Sequence, residues 1–111
     1  MTSPGIGYTC GKVRITMLRK KAAVAALAAL AQEVRLDIVR ALVRSGDTPI
    51  SAGALAEAVG TSPSNLSFHL KELESAGLIQ SERQSRSILY RINPENMDAL
   101  MAFLRDHCCA K

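Results

Sequence analysis

Tryptophan is absent from this 111-residue chain, and only two phenylalanines and two tyrosines occur. Ala, Leu, Ile and Val must therefore fill the core, which suits helix-on-helix packing better than a sandwich of sheets. Cysteine is scarce as well, with three residues at Cys10, Cys108 and Cys109. An odd count leaves one thiol over, and adjacent cysteines bridge poorly because the small ring distorts the peptide between them. A disulfide framework is excluded, and free thiols make the cytoplasm the expected location. No apolar run approaches the ~20 residues of a transmembrane helix. The segment MLRKKAAVAALAALAQ, residues 17–32, has the outline of a signal peptide. It starts well inside the chain, however, is mostly weakly apolar Ala, and continues into an amphipathic helix, so secretion is not expected.

What is present is a single small domain with a modest core, of the size that often completes its burial by dimerising. The formal net charge is +4. Residues 12–44 carry Lys12, Arg14, Arg19, Lys20, Lys21, Arg35, Arg40 and Arg44 against Glu33 and Asp37, so the positive excess lies in one stretch. A basic balance is compatible with nucleic acid but does not by itself identify the partner.

Residues 1–18 mix Gly, Pro, Thr and Ser without a period and read as a flexible arm. Residues 19–31 form an Ala-rich helix with Val24, Leu27 and Leu30 on one side. A second helix over residues 33–44 places Arg35, Ile38, Val39, Leu42 and Val43 on one stripe, and SGDTP ends it. In SAGALAEAVGTSPSNLSFHLKELESAGLI, residues 51–79, a short helix with Leu55, Ala56 and Val59 inward stops at Gly60. Ser62 then caps a further helix with Pro63 in its first turn, Leu66, Leu70 and Leu73 inward and Gly77 at the stop. Two helices joined by so short a turn make a helix-turn-helix. The period then falls from 3.6 to 2 across LIQSERQSRSILYRI, a β-hairpin with Arg83 to Arg86 as its polar break. Asn93 and Pro94 start a last helix with Met97, Leu100, Met101 and Leu104 on a narrow stripe. The expected fold is mainly α with a small β-hairpin: a winged helix-turn-helix spanning residues 19–107, dimeric, followed by a tail at 108–111 that carries the thiol pair.

With Leu66, Leu70 and Leu73 inward, Ser64, Asn65, Phe68 and Lys71 face outward, with Ser67 and His69 on the flanks and Ser62 at the helix start. An α-helix fits the major groove, where Asn can read adenine and Ser hydroxyls suit phosphates. A solvated Ser/Asn/Lys face is the bland alternative; the adjoining turn and hairpin favour DNA over it. Arg83, Gln84 and Arg86 near the hairpin tip can reach phosphate or the minor groove, with a soluble turn bearing two charges as the equal alternative taken alone; His69 could equally be a satisfied partner within the fold. The expected partner is double-stranded DNA, with no membrane involved.

The order of ALAQEVRLDIVRALV, LAEAVGTSPSNLSFHLKELESAGLI and RSILYRI resembles the ArsR/SmtB family of metalloregulatory repressors over roughly residues 25–105. The most specific part is SNLSFHLKELESAGLI. One departure is AQEVRL, where the family more often has a Pro-Thr pair before the Arg. The resemblance implies that the first and last helices build a homodimer interface, here through Leu27, Leu30, Met97, Leu100, Met101 and Leu104.

It also implies a ligand site. The family's Cys-x-Cys arsenite motif is absent, that region reading PISAGALAE, and the zinc pattern on the last helix is poorly met by Asp98 and His107. Some relatives carry a Cys-Cys pair near the C-terminus, which HCC at 107–109 matches. Thiolates select soft, thiophilic ions. Cys108 and Cys109 supply most of a site for trivalent arsenic or antimony, with Cys10 as the available third ligand. The expected function is a repressor that releases its operator on binding arsenite, methylarsenite or antimonite, with no organic cofactor. The alternatives are a redox or persulfide sensor of the same fold, a Cd-, Zn- or Pb-responsive repressor, and a metal carrier that does not bind DNA. An enzyme is not expected, because the thiols have no second catalytic group beside them.

Overall fold

The computed structural model describes residues 19–106, so Cys10, His107, Cys108 and Cys109 lie outside the described residues. Among the described residues, five helices and three strands follow in the order α1 (Lys20–Leu30), α2 (Glu33–Ser45), β1 (Ile50–Ser51), α3 (Ala52–Val59), α4 (Pro63–Ser75), β2 (Ile79–Gln84), β3 (Ser87–Ile92) and α5 (Pro94–Arg105). The fold is a winged helix-turn-helix, mainly helical with a small antiparallel sheet.

The helix starts follow from side chains that satisfy otherwise orphaned backbone N–H groups. Gln32 Oε1 accepts from the Arg35 N–H, Ser51 Oγ from Ala54, Ser62 Oγ from Asn65 and Asn93 Oδ1 from Asn96. Gly60 ends α3 in the left-handed region at φ 71°, where a side chain would be strained. That sharp stop lets α4 start three residues later. Ile38, Leu42, Leu55, Leu66, Leu70, Leu73, Leu78 and Leu100 are fully buried and join α2, α3, α4 and α5 in one core.

The sheet has three strands in the order β1-β3-β2, one more than the hairpin expected. Ile50 and Ser51 pair with Tyr90 and Leu89, and two residues are too short to carry a readable alternation. The hairpin register runs from Ile79 opposite Ile92 to Gln84 opposite Ser87. Arg83 and Gln84 are therefore strand residues, and the turn is Ser85 and Arg86 alone, with Ser85 at φ 57°. This is the tight two-residue connection that matches strand twist.

Two helix faces differ from the simplest reading. In α1 the inward residues are Ala23, Ala26 and Ala29, while Val24 and Leu27 stand 58% and 40% exposed. Small residues let α1 lie close to the body, and the larger apolar side chains are left outside. In α5, Leu100 is buried in the protomer's own core rather than at a subunit interface, because α5 turns its Ala99–Leu100 side inward. Leu30 and Met97 are half-buried against that core. Of the six interface candidates, Leu27, Met101 and Leu104 remain on the surface.

Candidate nucleic-acid interface

The second helix of the helix-turn-helix, α4, carries most of the predicted contact residues, and capping fixes where it begins. Ser62 Oγ accepts from the Asn65 N–H at 3.2 Å, with Pro63 in the first turn. Asn65 Nδ2 donates to Thr61 Oγ1 at 2.8 Å, which braces the turn. Ser62, Ser64, Asn65, Ser67, Phe68 and Lys71 are all exposed. With Leu66, Leu70 and Leu73 buried, Ser64, Phe68 and Lys71 fall on the opposite side of the helix, as the 3.6-residue period requires. Phe68 is 54% exposed, a large apolar ring on an otherwise polar face.

His69 is not on that face. It is buried, and its Nδ1 accepts from Arg35 Nε–H at 3.0 Å. One turn before Leu73 and three residues after Leu66, it lies on the inward arc of α4 rather than on the exposed flank. Burial lowers its pKa below the ordinary 6.5, and the Arg35 charge lowers it further against a smaller opposing effect of Glu72. Nδ1 can accept only when the ring is neutral there, so the hydrogen bond and the lowered pKa agree.

In the sequence Arg35 was the polar first residue of an apolar stripe and the Arg of the family-like AQEVRL segment. The structure gives it a second contact: its guanidinium carbon lies 5.6 Å from the centroid of the Phe68 ring. Phe68 and His69 meet edge to face at 5.4 Å. Arg35, Phe68 and His69 thus form one cluster that joins α2 to α4. No periodicity argument could have found it, because it depends on how two helices cross.

In the wing, Arg83, Gln84 and Arg86 are exposed at the end of the hairpin. Gln84 Nε2 donates to Glu82, and Glu82 pairs with Arg91 at 3.8 Å between two half-exposed side chains. Arg83 and Arg86 make no ion pair among the described residues. The two parts present hydroxyl, amide and cationic groups, a set suited to phosphates and base edges.

Comparison with known proteins agrees with this geometry. Residues 30–82 match a family described as a helix-turn-helix domain. The HTH-type transcriptional regulator YgaV of Escherichia coli K12 is 39% identical over 78% of this chain and 86% of its own. The arsenical resistance operon repressor of Bacillus subtilis 168 is 35% identical over 73% of each chain. The chain belongs to the ArsR/SmtB family of winged-helix transcriptional regulators. As a family member it is a DNA-binding regulator and not an enzyme. Among solved structures, an ArsR-like transcriptional regulator from Rhodococcus sp. RHA1 superposes with a TM-score of 0.67 at 28% identity, covering 78% of this chain and 79% of that one. A homodimeric winged helix-turn-helix DNA-binding domain from Mycobacterium bovis has a TM-score of 0.64 over 96% of this chain and 99% of its own. At 22% identity that likeness shows the fold alone.

No helix among the described residues is long and apolar enough to cross a membrane. Among the described residues, no three His, Cys, Asp or Glu side chains gather as a metal would need. The cysteine ligands expected from the sequence lie outside those residues.

Proposed function

We propose that the protein is a homodimeric repressor that holds an inverted-repeat operator without ligand and releases it when a trivalent arsenical binds its thiolates. Cys108 and Cys109 are the ligands in this reading, with Cys10 from either arm as the third; antimonite would be taken in the same way. Its setting is the cytoplasm, where the thiols stay reduced.

The carrying observation is the placement of α5. Its start is tied to the end of α4, because Asn93 N–H donates to the Leu78 carbonyl and Asn96 Nδ2 to the Gly77 carbonyl. Its middle leaves Met101 57% and Leu104 48% exposed. Its end, Arg105, lies three residues before the thiol pair. In this reading one helix runs from beside the end of α4, past the proposed subunit interface, to within three residues of the proposed ligands. The exposed Val24 and Leu27 on α1 supply further uncovered apolar surface, and α1 and α5 are in contact. A symmetric dimer built on these faces would carry two α4 helices, reading half-sites one helical turn apart.

A ligand shifts a conformational equilibrium only by its differential affinity for the two states. Release thus needs an arsenical-bound α5 arrangement in which the two α4 helices no longer match the half-site spacing. Coupling of about 1–3 kcal/mol is ordinary for such linkage. Support for the arsenical comes from the adjacent thiols and from the name of the Bacillus subtilis relative, which is an arsenical resistance operon repressor.

The test is a titration of the protein–operator complex, followed by fluorescence anisotropy, with arsenite, methylarsenite, antimonite, cadmium and zinc. Release by the trivalent metalloids at lower concentration than by cadmium or zinc supports the reading. Release by mild oxidant or persulfide with no response to metalloids replaces it with a redox sensor. Failure to bind any duplex from a randomised pool removes the repressor function altogether.

A further inference from the structure

The Arg35 guanidinium is fixed on two sides and open on the others. Its Nε–H is committed to His69 Nδ1 at 3.0 Å, and its plane carbon sits 5.6 Å from the Phe68 centroid. Those contacts leave the two terminal NH2 groups without an acceptor among the described residues, and Arg35 makes no ion pair there. It lines an open cleft of about 320 Å³ with Ala25, Ala28 and Ala29 of α1 and Glu72, Ser75 and Ala76 of α4. Glu72 shares that cleft but comes no closer than the 4 Å of an ion pair.

A half-buried guanidinium with no carboxylate within ion-pair distance is an incomplete arrangement, since a charge taken partly from water is normally paired. Its position adds to this. Arg35 is in the first turn of α2, where the aligned peptide dipoles already present partial positive charge and favour an anion. Arg has a planar fork of donors that matches a phosphate, and here the fork is pre-aimed by His69 and Phe68.

The location decides which anion. Phe68 lies on the face of α4 that carries Ser64 and Lys71, and Arg35 leans over its ring from the α2 side. An α-helix with its side chains is about 10–12 Å across and the major groove about 12 Å wide. A helix seated in the groove therefore brings its flanks against the phosphate walls. A cation held beside Phe68 stands where such a wall passes.

We infer that Arg35, from outside the helix-turn-helix, is a DNA-backbone anchor whose free guanidinium nitrogens take one phosphate beside α4 in each half-site. This rests on the DNA-binding reading of α4. The bound phosphate completes the charge that His69 and Phe68 only orient. It fixes how deeply α4 sits without reading a base.

The test uses the full chain and a duplex selected from a randomised pool. Affinity is measured against salt for the wild type and Arg35→Gln, then repeated on duplexes carrying one neutral methylphosphonate at successive positions. Removing a phosphate contact reduces the salt slope by about 1 per protomer. One methylphosphonate position per half-site is expected to weaken the wild type and leave Arg35→Gln unchanged. Arg35→Lys keeps the charge but lacks the fork, and should retain most of the salt slope while losing the sharp dependence on that one position. If Arg35→Gln has lost its helical circular dichroism, Arg35→Lys carries the scan. A purely structural Arg35 would alter affinity equally at every methylphosphonate position and leave the salt slope unchanged; either result overturns the inference. A wild type that binds no duplex fails differently, since it removes the DNA-binding reading itself.

Discussion

Asn96 Nδ2 donates to the Gly77 carbonyl at 2.6 Å, joining the first turn of α5 to the residue that closes α4. Gly77 is at φ 81°, and a Cβ there would stand 2.9 Å from that same nitrogen. Asn96 Oδ1 is buried with no hydrogen-bond partner among the described residues, so the amide is held by one bond in a tight space.

Gly77→Ala combines a left-handed backbone with a clash, and should cost about 1–2 kcal/mol from the backbone alone. Asn96→Ala should cost about 1 kcal/mol, the ordinary net value of a hydrogen bond. The double variant should cost less than the two single ones together, because truncating Asn96 removes the atom that the new Cβ meets. Urea unfolding followed by circular dichroism checks this, and strict additivity would show that the two residues do not oppose each other.

The burial of His69 beside Arg35 gives stability a pH dependence. His69 has its pKa lowered by burial first and by Arg35 second, so the unfolded chain takes up the proton before the folded one does. The contribution is fully present above the ordinary 6.5 and is lost as pH falls through that value toward the folded pKa. Tm measured from pH 8 to pH 5 should fall more steeply for the wild type than for His69→Gln. Parallel curves would assign the acid sensitivity to other groups.

Two caps separate stability from DNA affinity. Ser51→Ala and Ser62→Ala each remove an N-cap acceptor at 3.2 Å and should each cost about 1 kcal/mol. Only Ser62 starts the helix proposed to read DNA, so only Ser62→Ala should also weaken operator binding once both are compared at a temperature where they are folded. Equal losses of affinity would mean that the start of α4 contributes no more than general stability.

Much of this architecture was legible because it depends on local pattern. The Leu66–Leu70–Leu73 stripe acts within about two turns of helix, and Gly60, Ser62–Pro63 and Asn93–Pro94 within one, and each element stands where those residues put it. What escaped depends on distant partners. The stripe in α1 was readable, but not which side faces the body, because Ala23, Ala26 and Ala29 win that side by allowing closer approach than Val24 and Leu27. Strand β1 exists only by pairing with β3. His69 was open between a flank residue and a partner within the fold, and only the crossing of α2 over α4 names Arg35 as that partner.

The exposed apolar faces of α1 and α5 predict the oligomeric state. Leu27→Glu and Met101→Glu place a charge at positions open in the single protomer, so each should change monomer stability by less than about 0.5 kcal/mol. Each should nonetheless shift sedimentation from dimer to monomer and weaken operator binding. A charged variant that stays dimeric with normal affinity would place the interface elsewhere.

The central claim is that a thiol-bound arsenical controls the grip of α4 on DNA, and the Cys108→Ser/Cys109→Ser variant tests it most directly. Arsenite is added to wild-type and variant operator complexes while anisotropy is recorded. The wild type should release its DNA, whereas the variant, with equal affinity before addition, should remain bound. Release of the variant at the same arsenite concentration as the wild type would contradict the account.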